Sequence, residues 1–268
     1  MADRPLIVTG GNGRIGRLLR SVWKKSGPKG LSPIFLSRHD WDIGTTQAPS
    51  GLPEQGVVLD LSARRDAGGL SENPDIAASV ARFARERGHR LIHMSSAAVY
   101  AGGPLPQEET APLAPYSAYG ESKRDAEVAL RGEYPDAVVL RLANLAGADA
   151  LLGQASGPVV LDPIPDGNRG PIRSYIGPIT FAAVLKHILA AVSDRMLQET
   201  VLNIAQPGPV AMADLLDAQG RHWRFGPRNS AVLPQMVVAT VRLERLYDLS
   251  KSTPESLVAE VQRCEGWP

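Results

Sequence analysis

The sequence predicts an α/β fold built on a doubly wound parallel sheet, and three observations support this prediction. Short apolar runs alternate with segments of helical periodicity along the first 150 residues. The runs lack the strict apolar–polar alternation of a half-exposed strand, which favours strands buried on both faces. A glycine-rich turn separates the first run from the first helical segment. Strands that alternate with helices imply right-handed parallel crossovers.

The predicted strands are five apolar segments. The first runs from Pro5 to Thr9 and leads into the glycine turn. The other four, in chain order, are SPIFLSR, GVVLDLSA, RLIHMSS and AVVLRLANLAG. Helical periodicity separates them, in RLLRSVWKKS, in NPDIAASVARFARERG and in the segment that begins near Tyr119. Strand and helix therefore alternate as far as Gly147.

The C-terminal part of the chain has a looser pattern. Pro and Gly are frequent after Gly147, ahead of the helical segment FAAVLKHILAAV and the strand-like segment TVLNIAQ. Two amphipathic helices are predicted in the tail, the second starting at Pro254. We expect residues 151–268 to form a smaller lobe over the carboxyl edge of the sheet, intertwined with the same compact unit as residues 1–150.

Composition excludes several classes of function. The net charge is +1, from 29 basic and 28 acidic residues, so no electrostatic footprint for nucleic acid is present. Lys186 and His187 interrupt the longest apolar segment, and we expect no membrane span. Cys264 is the only cysteine and the histidines lack ligand spacing, so we expect neither a disulfide nor a metal site. A reducing compartment, the cytoplasm, fits this cysteine usage.

The glycine turn TGGNGRIGR predicts a site for a pyrophosphate group. Gly10, Gly13 and Gly16 are spaced three apart between a predicted strand and a predicted helix. Glycine permits a tight turn and a close backbone approach, while the helix N-terminus offers unpaired amides and a positive dipole. The alternative is a strand-to-helix turn that only needs positive φ. The position after the first strand favours dinucleotide binding.

The end of the second strand bears on the choice of cofactor. An acidic residue at this point of a dinucleotide fold binds the adenosine ribose, whereas an arginine accommodates a 2′-phosphate. Arg38 occupies the position, in LSRHDWD, and Arg14 within the glycine turn could assist it. We therefore predict NADP(H) as the preferred cofactor, with NAD(H) possible. The alternative is a solvated arginine at a strand end.

A tyrosine, a lysine and a pair of serines suggest proton-transfer chemistry. Tyr119 and Lys123 are four residues apart, a spacing that places two side chains on one face of a helix. A nearby cation favours the phenolate and lowers the pKa of the phenol, so that the phenol can exchange a proton with a substrate oxygen. Ser95 and Ser96 end the fourth predicted strand, where ligand-contacting groups collect. An ordinary helix face would explain the Tyr–Lys pair alone.

The order of these motifs resembles that of the extended branch of the short-chain dehydrogenase/reductase superfamily, which contains NAD(P)-dependent epimerases, dehydratases and sugar reductases. The segments that match are TGGNGRIG, HMSSAAVY, PYSAYGESK and LRLANLAG, in the expected order over about the first 150 residues. The resemblance implies that residues 1–150 are an NAD(P)-binding Rossmann-like domain and that residues 151–268 bind the substrate.

The resemblance also implies roles for individual residues. Tyr119 would be the acid/base, Ser96 rather than Ser95 would orient the substrate oxygen, and Lys123 would bind the nicotinamide ribose and lower the pKa of the tyrosine. Asn73 matches an asparagine with a structural or water-relay role. The implied cofactor contacts are Gly10, Gly13, Arg14, Ile15, Gly16, Arg38, Asp42, Leu61, Ser62 and Lys123; the implied substrate contacts are Ser96, Asn144 and Arg173.

Two stretches depart from the branch. The segments from Ala63 to Asn73 and from Asn144 to Arg173 are shorter than expected, and acidic residues that usually follow the matching arginine are absent after Arg173. Arg173 is therefore either a substrate ligand or a loop-stabilising surface residue. We predict an NAD(P)-dependent oxidoreductase that acts as a nucleotide-sugar epimerase/dehydratase or keto-sugar reductase, with a possible homodimer through the Tyr119 helix. The alternatives are a reductase of a smaller carbonyl compound and a non-catalytic cofactor sensor or scaffold.

Overall fold

The structure is a computed structural model that describes residues 3–24, 26–149, 151–153, 158–165, 167, 169–229, 231–264 and 267. These residues form two compact units. The first, called the sheet unit, comprises Met1–Tyr100, Leu113–Arg141 and Ala182–Leu202. The second unit comprises Ala101–Pro112, Leu142–Phe181 and Asn203–Pro268. The units interleave along the chain, and residues 182–202 belong to the sheet unit.

The elements alternate along the N-terminal half as the sequence predicts. In chain order the strands are β1 Arg4–Thr9, β2 Leu31–Phe35, β3 Val57–Asp60, β4 Arg90–Ser96, β5 Val138–Leu142, β6 Asn144–Leu145, β7 Val159–Leu161, β8 Ile172–Arg173, β9 Tyr175–Ile176, β10 Val201–Ile204, β11 Val210–Ala211, β12 Trp223–Phe225 and β13 Gln235–Met236. The helices are α1 Arg14–Trp23, α2 Asn73–Glu86, α3 Ala118–Glu133, α4 Pro178–Ser193, α5 Met212–Ala218, α6 Val241–Leu246 and α7 Pro254–Arg263.

A six-stranded sheet in the order β10-β5-β4-β3-β1-β2 forms the centre of the sheet unit. The pairs β1–β2, β1–β3 and β3–β4 are parallel. The predicted doubly wound parallel sheet is therefore confirmed. The chain leaves β1 first to one side and then to the other, and the carboxyl ends of strands at such a reversal form a ligand crevice.

The core of the sheet unit explains why its strands are continuously apolar. Residues Leu6–Val8 of β1 and Val57–Leu59 of β3 are buried, and α2 packs against α3 beside the sheet. Apolar side chains of these two helices, such as Val80 and Leu130, join the strand residues in one buried cluster. Because helices cover the strands, both faces of each central strand need apolar residues.

The described residues of the second unit form short strands, the helices α5, α6 and α7, and the start of α4. β8 pairs antiparallel with β11 and parallel with β13, while β7 pairs with β12 and β6 with β9. Leu215, Leu216 and Leu257 belong to its buried cluster. α7 starts at Pro254, as predicted, behind a capping box formed by Thr253 and Ser256. Among the described residues of the whole chain, none of the helices combines the length and apolar character that a membrane span requires.

One glycine sets the distance between α3 and the end of β4. A short 3₁₀ turn, Ala97–Val99, follows β4, and Gly120 in the first turn of α3 packs directly on the carbonyl oxygen of Ala98. A Cβ at residue 120 would lie far inside van der Waals contact with that oxygen. The start of α3 can approach the end of β4 this closely only because residue 120 has no side chain.

We predict opposite effects for two substitutions in α3. Gly120→Ala should lower the free energy of unfolding by about 1–3 kcal/mol, because the new methyl group overpacks the Ala98 contact. Gly132→Ala should raise the free energy of unfolding by up to about 1 kcal/mol, because no atom lies within 4 Å of a Cβ there and alanine favours the helix. Urea denaturation of both variants measures this; equal effects would contradict the proposed close contact.

Candidate active site

A cavity of about 520 Å³ lies in the sheet unit at the carboxyl ends of β1, β2 and β3. Its wall includes Thr9 at the end of β1, Leu36 just after β2 and Leu61 just after β3. Six residues predicted as cofactor contacts line it: Gly10, Gly13, Arg38, Asp42, Leu61 and Ser62. Four others lie outside its lining: Arg14, Ile15, Gly16 and Lys123. The cavity therefore gathers residues from three separate segments that the sequence analysis proposed.

The glycine turn shapes one wall of the cavity. Gly10 has φ +66°, and a Cβ there would lie 2.8 Å from the carbonyl oxygen of Leu61. A Cβ on Gly16 would lie 2.5 Å from the carbonyl oxygen of Gly11, so the first turn of α1 packs on the turn itself. Gly13 is the N-cap of α1, which has no side-chain cap and no acidic residue in its first turn. The positive end of the helix dipole thus meets the cavity wall.

The segment after β2 contributes basic residues to the cavity lining. Arg38 and His39 are exposed and line the cavity. The carboxylate of Asp40 accepts hydrogen bonds from the backbone N–H and the hydroxyl of Ser37, both at 2.7 Å, and these bonds hold the pKa of Asp40 below its usual value. Asp40 does not line the cavity. His39 was missed by the sequence analysis, although it directly follows Arg38 at the strand end.

Arg64 is a second cavity residue that the sequence did not reveal. Its side chain pairs with Glu72 at 2.8 Å and with Asp42 at 3.6 Å. Its backbone N–H donates to Oδ1 of the buried Asn73 at 2.7 Å, and Asn73 Nδ2 donates to the Ser122 hydroxyl at 3.1 Å. Asn73 thereby joins the segment after β3 to α3, which is the structural role that the resemblance offered for it.

Ser96 and Tyr119 are both close in sequence to the contact between Gly120 and Ala98. Ser96 ends β4, and its hydroxyl accepts a hydrogen bond from the backbone N–H of Ala98 at 3.2 Å. Tyr119 precedes Gly120 and is half-buried. Each of the two residues is therefore within two positions of the same backbone contact. Ser95, by contrast, donates to the buried Glu127 carboxylate at 2.5 Å, which leaves Ser96 as the serine available at this edge.

Lys123 lies inside the sheet unit with 1% of its surface exposed. Its Nζ donates to the carbonyl oxygen of Met94 at 2.8 Å and lies 3.2 Å from Nε2 of His93. Burial lowers the pKa of Lys123 to about 8, against the opposing effect of the Asp60 and Glu127 carboxylates. The ammonium group is therefore held by β4, the strand beneath its helix.

The side chains of Tyr119 and Lys123, predicted to lie in reach of each other, have different partners in the structure. Within the described part of the chain, no hydrogen bond joins the two side chains. The cation found over the Tyr119 ring is Arg65, whose guanidinium carbon lies 5.4 Å from the ring centroid. Arg65 is exposed and precedes the Ala67–Glu72 turn, and no sequence signal linked it to the tyrosine. A cation at this distance attracts the ring electrostatically.

The two remaining predicted substrate residues belong to the second unit. Arg173 donates from its guanidinium group to the backbone carbonyl oxygens of Leu233 and Ile172, each at 2.8 Å. Burial lowers its pKa. Asn144 donates from its backbone to Ser174 at 3.1 Å. The Arg173 contacts match the loop-stabilising alternative, while some of its five donors stay available for other partners.

Over the ranges that the structure describes, no group of three or more His, Cys, Asp or Glu residues is placed to hold a metal ion. The chemically distinctive groups of the sheet unit are instead a hydroxyl, a phenol and a buried ammonium group.

Comparisons with known proteins place these residues in a family context. Residues 4–151 match the family described as "RmlD substrate binding domain". The dTDP-4-dehydrorhamnose reductase of Mycobacterium tuberculosis strain H37Rv is 29% identical over 256 residues, which cover 86% of this chain and 81% of that protein. A probable dTDP-4,6-dihydroxy-2-methyloxan-3-one 4-ketoreductase of Streptomyces antibioticus is 47% identical over 62 residues, which cover 23% of this chain and 21% of that protein.

Solved structures share the fold at lower identity. A UDP-galactose 4-epimerase has a TM-score of 0.72 at 17% identity, covering 98% of this chain and 100% of that one. A dTDP-4-dehydrorhamnose reductase from Clostridium acetobutylicum has a TM-score of 0.71 at 18% identity, covering 97% of this chain and 99% of that one. The likeness extends over both compact units.

The buried ammonium group predicts a specific pH dependence of stability. The pKa of Lys123 is about 8 in the folded chain and 10.5 ordinarily, so between these values the unfolded chain binds more protons and stability rises with pH. The free energy of unfolding should therefore rise, relative to a Lys123→Met variant, by up to about 3 kcal/mol over this window.

Urea denaturation at several pH values between pH 8 and pH 10.5 measures this difference. Lys251→Met, at an exposed position, controls for the loss of one positive charge at the surface. A pH-independent difference between the native chain and Lys123→Met would contradict the assignment of a perturbed pKa to this lysine.

Proposed function

This chain belongs to the family described as RmlD substrate binding domain, within the extended short-chain dehydrogenase/reductase branch that its motifs resemble. We propose on this basis that it is an NADP(H)-dependent reductase of a nucleotide-linked keto sugar. The observation that carries the proposal is the meeting of β4 and α3. Gly120 contacts Ala98, Ser96 and Tyr119 are within two residues of that contact, and Nζ of Lys123 binds the Met94 carbonyl oxygen of β4, which supports a joint site for the three side chains.

The cavity fits a dinucleotide cofactor. It combines a helix N-terminus without an acidic residue, a glycine whose missing Cβ opens the turn, and a basic wall. Gly10, Gly13 and Ser62 would hold the pyrophosphate and ribose, and Arg38 with His39 would hold a 2′-phosphate. The Asp40 carboxylate is hydrogen-bonded to Ser37 and does not line the cavity, so Asp40 would not repel the phosphate. When bound, the cofactor supplies the hydride.

The protein's own groups would manage the substrate oxygen. As hydride reaches the carbonyl carbon, the carbonyl π bond breaks and its oxygen gains charge. The Tyr119 hydroxyl donates its proton to that oxygen and is reprotonated from solvent. The Ser96 hydroxyl donates a hydrogen bond that orients the substrate oxygen. Protonated Lys123 supplies positive charge beside the site at pH values below about 8. The ketone becomes an alcohol and the tyrosine regains its starting state.

Reduction is favoured over epimerisation or dehydration by the relatives with the stronger sequence similarity. The reductase of Mycobacterium tuberculosis aligns over most of both chains, and its name specifies a dTDP-linked keto sugar. We therefore propose a dTDP-linked 4-keto sugar as substrate. Asn144 and Arg173 remain proposed contacts for the nucleotide or sugar, and a homodimer through α3 remains a prediction.

A second candidate function is the reduction of a smaller, non-nucleotide carbonyl compound. It is favoured by the short stretch between Asn144 and Arg173 and by the engagement of Arg173 with backbone carbonyl groups. A purely cofactor-sensing or scaffold role is disfavoured, because a sensor would not need the complete set of hydroxyl, phenol and ammonium groups.

The direct test combines cofactor and substrate. Calorimetric titration of the purified protein with NADPH and with NADH should show binding, with NADPH preferred. Addition of dTDP-4-dehydrorhamnose to the NADPH complex should then consume NADPH and yield the alcohol. Reduction of small ketones but of no dTDP-linked sugar would select the second candidate function. Failure to bind either cofactor would overturn the oxidoreductase assignment.

Removal of the Tyr119 hydroxyl should separate chemistry from binding. Tyr119→Phe is expected to lower kcat by about 10²–10⁴-fold, because the proton donor is lost. The Kd for NADPH should change little, because the ring and its Arg65 neighbour remain. The exposed Tyr116 provides the control Tyr116→Phe, which should leave kcat unchanged. Retained turnover in Tyr119→Phe would rule out the assigned acid/base role.

Removal of the Arg38 guanidinium group should discriminate between the two cofactors. Arg38→Ala is expected to weaken NADPH binding by about tenfold or more, since hydrogen bonds to a charged group are lost, and to weaken NADH binding much less. Arg82→Ala, which removes an exposed arginine of α2 that does not line the cavity, is the control. Equal losses for NADPH and NADH would refute the phosphate contact.

A further inference from the structure

A buried chain of polar groups runs from β3 through β4 to Lys123. Asp60 and His93 are register partners on the neighbouring strands β3 and β4, so their side chains lie next to each other. Oδ2 of Asp60 lies 2.7 Å from Nδ1 of His93, and Nε2 of His93 lies 3.2 Å from Nζ of Lys123. All three side chains are at most 1% exposed. No solvent-exposed group interrupts the chain.

Hydrogen bonds at the other end fix where the protons lie. Oδ1 of Asp60 accepts from the Thr9 hydroxyl at 2.6 Å and from the backbone N–H of Ser62 at 3.0 Å. Burial alone would raise the pKa of Asp60, but the hydrogen bonds from His93, Thr9 and Ser62 hold it below the usual value. An ionised Asp60 can only accept, so the proton between Asp60 and His93 resides on Nδ1.

The ring nitrogen that faces Lys123 is therefore an acceptor. Burial, and next the charge of Lys123, lower the pKa of His93, so the ring is neutral and carries one proton only. With Nδ1 protonated, Nε2 presents its lone pair to the ammonium group. The carbonyl oxygen of Met94 accepts a second N–H of Lys123. Two of the three donors of Nζ are thus fixed by β4, and one remains.

The geometry points to Asp60 and His93 as a positioning pair for Lys123, in which Asp60 selects the His93 tautomer and Nε2 of His93 orients the ammonium group. The consequence for catalysis rests on the proposed function, because it assumes that the third donor of Lys123 serves the reaction. The arrangement itself is independent of any substrate. A carboxylate that binds one ring nitrogen of a histidine typically sets the tautomer and the orientation of the ring.

The surrounding charges single out this pair. On α3, Glu127 follows Lys123 by one turn, but its carboxylate is already bound by Arg141 of β5 at 2.8 Å and by Ser95 of β4. Asp60 is thus the carboxylate that balances Lys123, with His93 between the two. Removing one member of such a buried set would leave the opposite charge uncompensated, which is strongly destabilising.

Asp60→Asn should reverse the His93 tautomer. The backbone N–H of Ser62 requires an oxygen at the Oδ1 position, so the new amide group must place its NH₂ where Oδ2 was. That NH₂ donates to Nδ1 of His93, which moves the proton of the neutral ring to Nε2. A protonated Nε2 then faces the ammonium group of Lys123 and can no longer accept from it.

The first experiment reads the tautomer in the cofactor-free protein. In ¹⁵N-histidine spectra at neutral pH, His93 of the native chain should show a protonated Nδ1 and an unprotonated Nε2. The signal is assigned by its loss in His93→Gln. Asp60→Asn should exchange the two states. A native His93 protonated on Nε2, or a tautomer unchanged by Asp60→Asn, would overturn the proposal whatever the protein's activity.

The second experiment uses a matched pair of variants. In His93→Gln the side-chain oxygen reaches the Nε2 position and can accept from Lys123, whereas the shorter side chain of His93→Asn can bind Asp60 only. We expect kcat within about threefold of the native value for His93→Gln, and losses of about tenfold or more, with a shifted alkaline limb of the pH–rate profile, for His93→Asn and Asp60→Asn.

Controls separate positioning from stability and from the proposed function. Ser95→Ala removes another buried hydrogen bond of β4 and should leave the His93 tautomer and the alkaline limb unchanged. A merely structural role would lower the melting temperature of His93→Gln and His93→Asn alike and leave their alkaline limbs in place, which would overturn the proposal. If no keto sugar is reduced by the native protein, the proposed function fails while the tautomer result still decides the arrangement.

Discussion

The close approach of α3 to the end of β4 is the constraint on which the rest of the site depends. Because Gly120 rests on the Ala98 carbonyl oxygen, side chains spaced by four on the helix meet side chains spaced by two on the strand. Lys123 meets His93, and Glu127 meets Ser95. One backbone contact therefore sets two buried polar pairs and brings Tyr119 to the end of the same strand. A larger distance between α3 and β4 would break both pairs at the same time.

The polar interior of the sheet unit is balanced rather than apolar. Asp60 with Lys123, and Glu127 with Arg141, give two negative and two positive groups, all of them buried. Each carboxylate is bound by several donors, which offsets the cost of removing it from water. Of these four charged groups, Asp60 and Lys123 lie nearest the proposed site. The electrostatics of the site and the stability of the fold therefore depend on the same groups.

Local patterns revealed the strands, the glycine turn and the order of motifs, because each depends on residues close together in the sequence. The partners of Lys123 were not accessible in this way. Helical spacing suggested Tyr119, but burial turned the ammonium group toward His93, thirty residues away. Asp60 and His93 became neighbours only through strand pairing. Arg65 reaches the Tyr119 ring from a loop, and the assignment of residues 182–193 of α4 to the sheet unit is a tertiary property.

The interleaved composition of the two units has a consequence for how such a chain can change. The boundaries at residues 100, 112, 141, 181 and 202 mean that the backbone crosses between the units five times, twice within strands β5 and β10 of the central sheet. Neither unit is one continuous piece of chain. The second unit therefore cannot be gained, lost or exchanged by joining gene segments end to end. It can diverge only by local insertion, deletion and substitution within a chain that still completes the sheet.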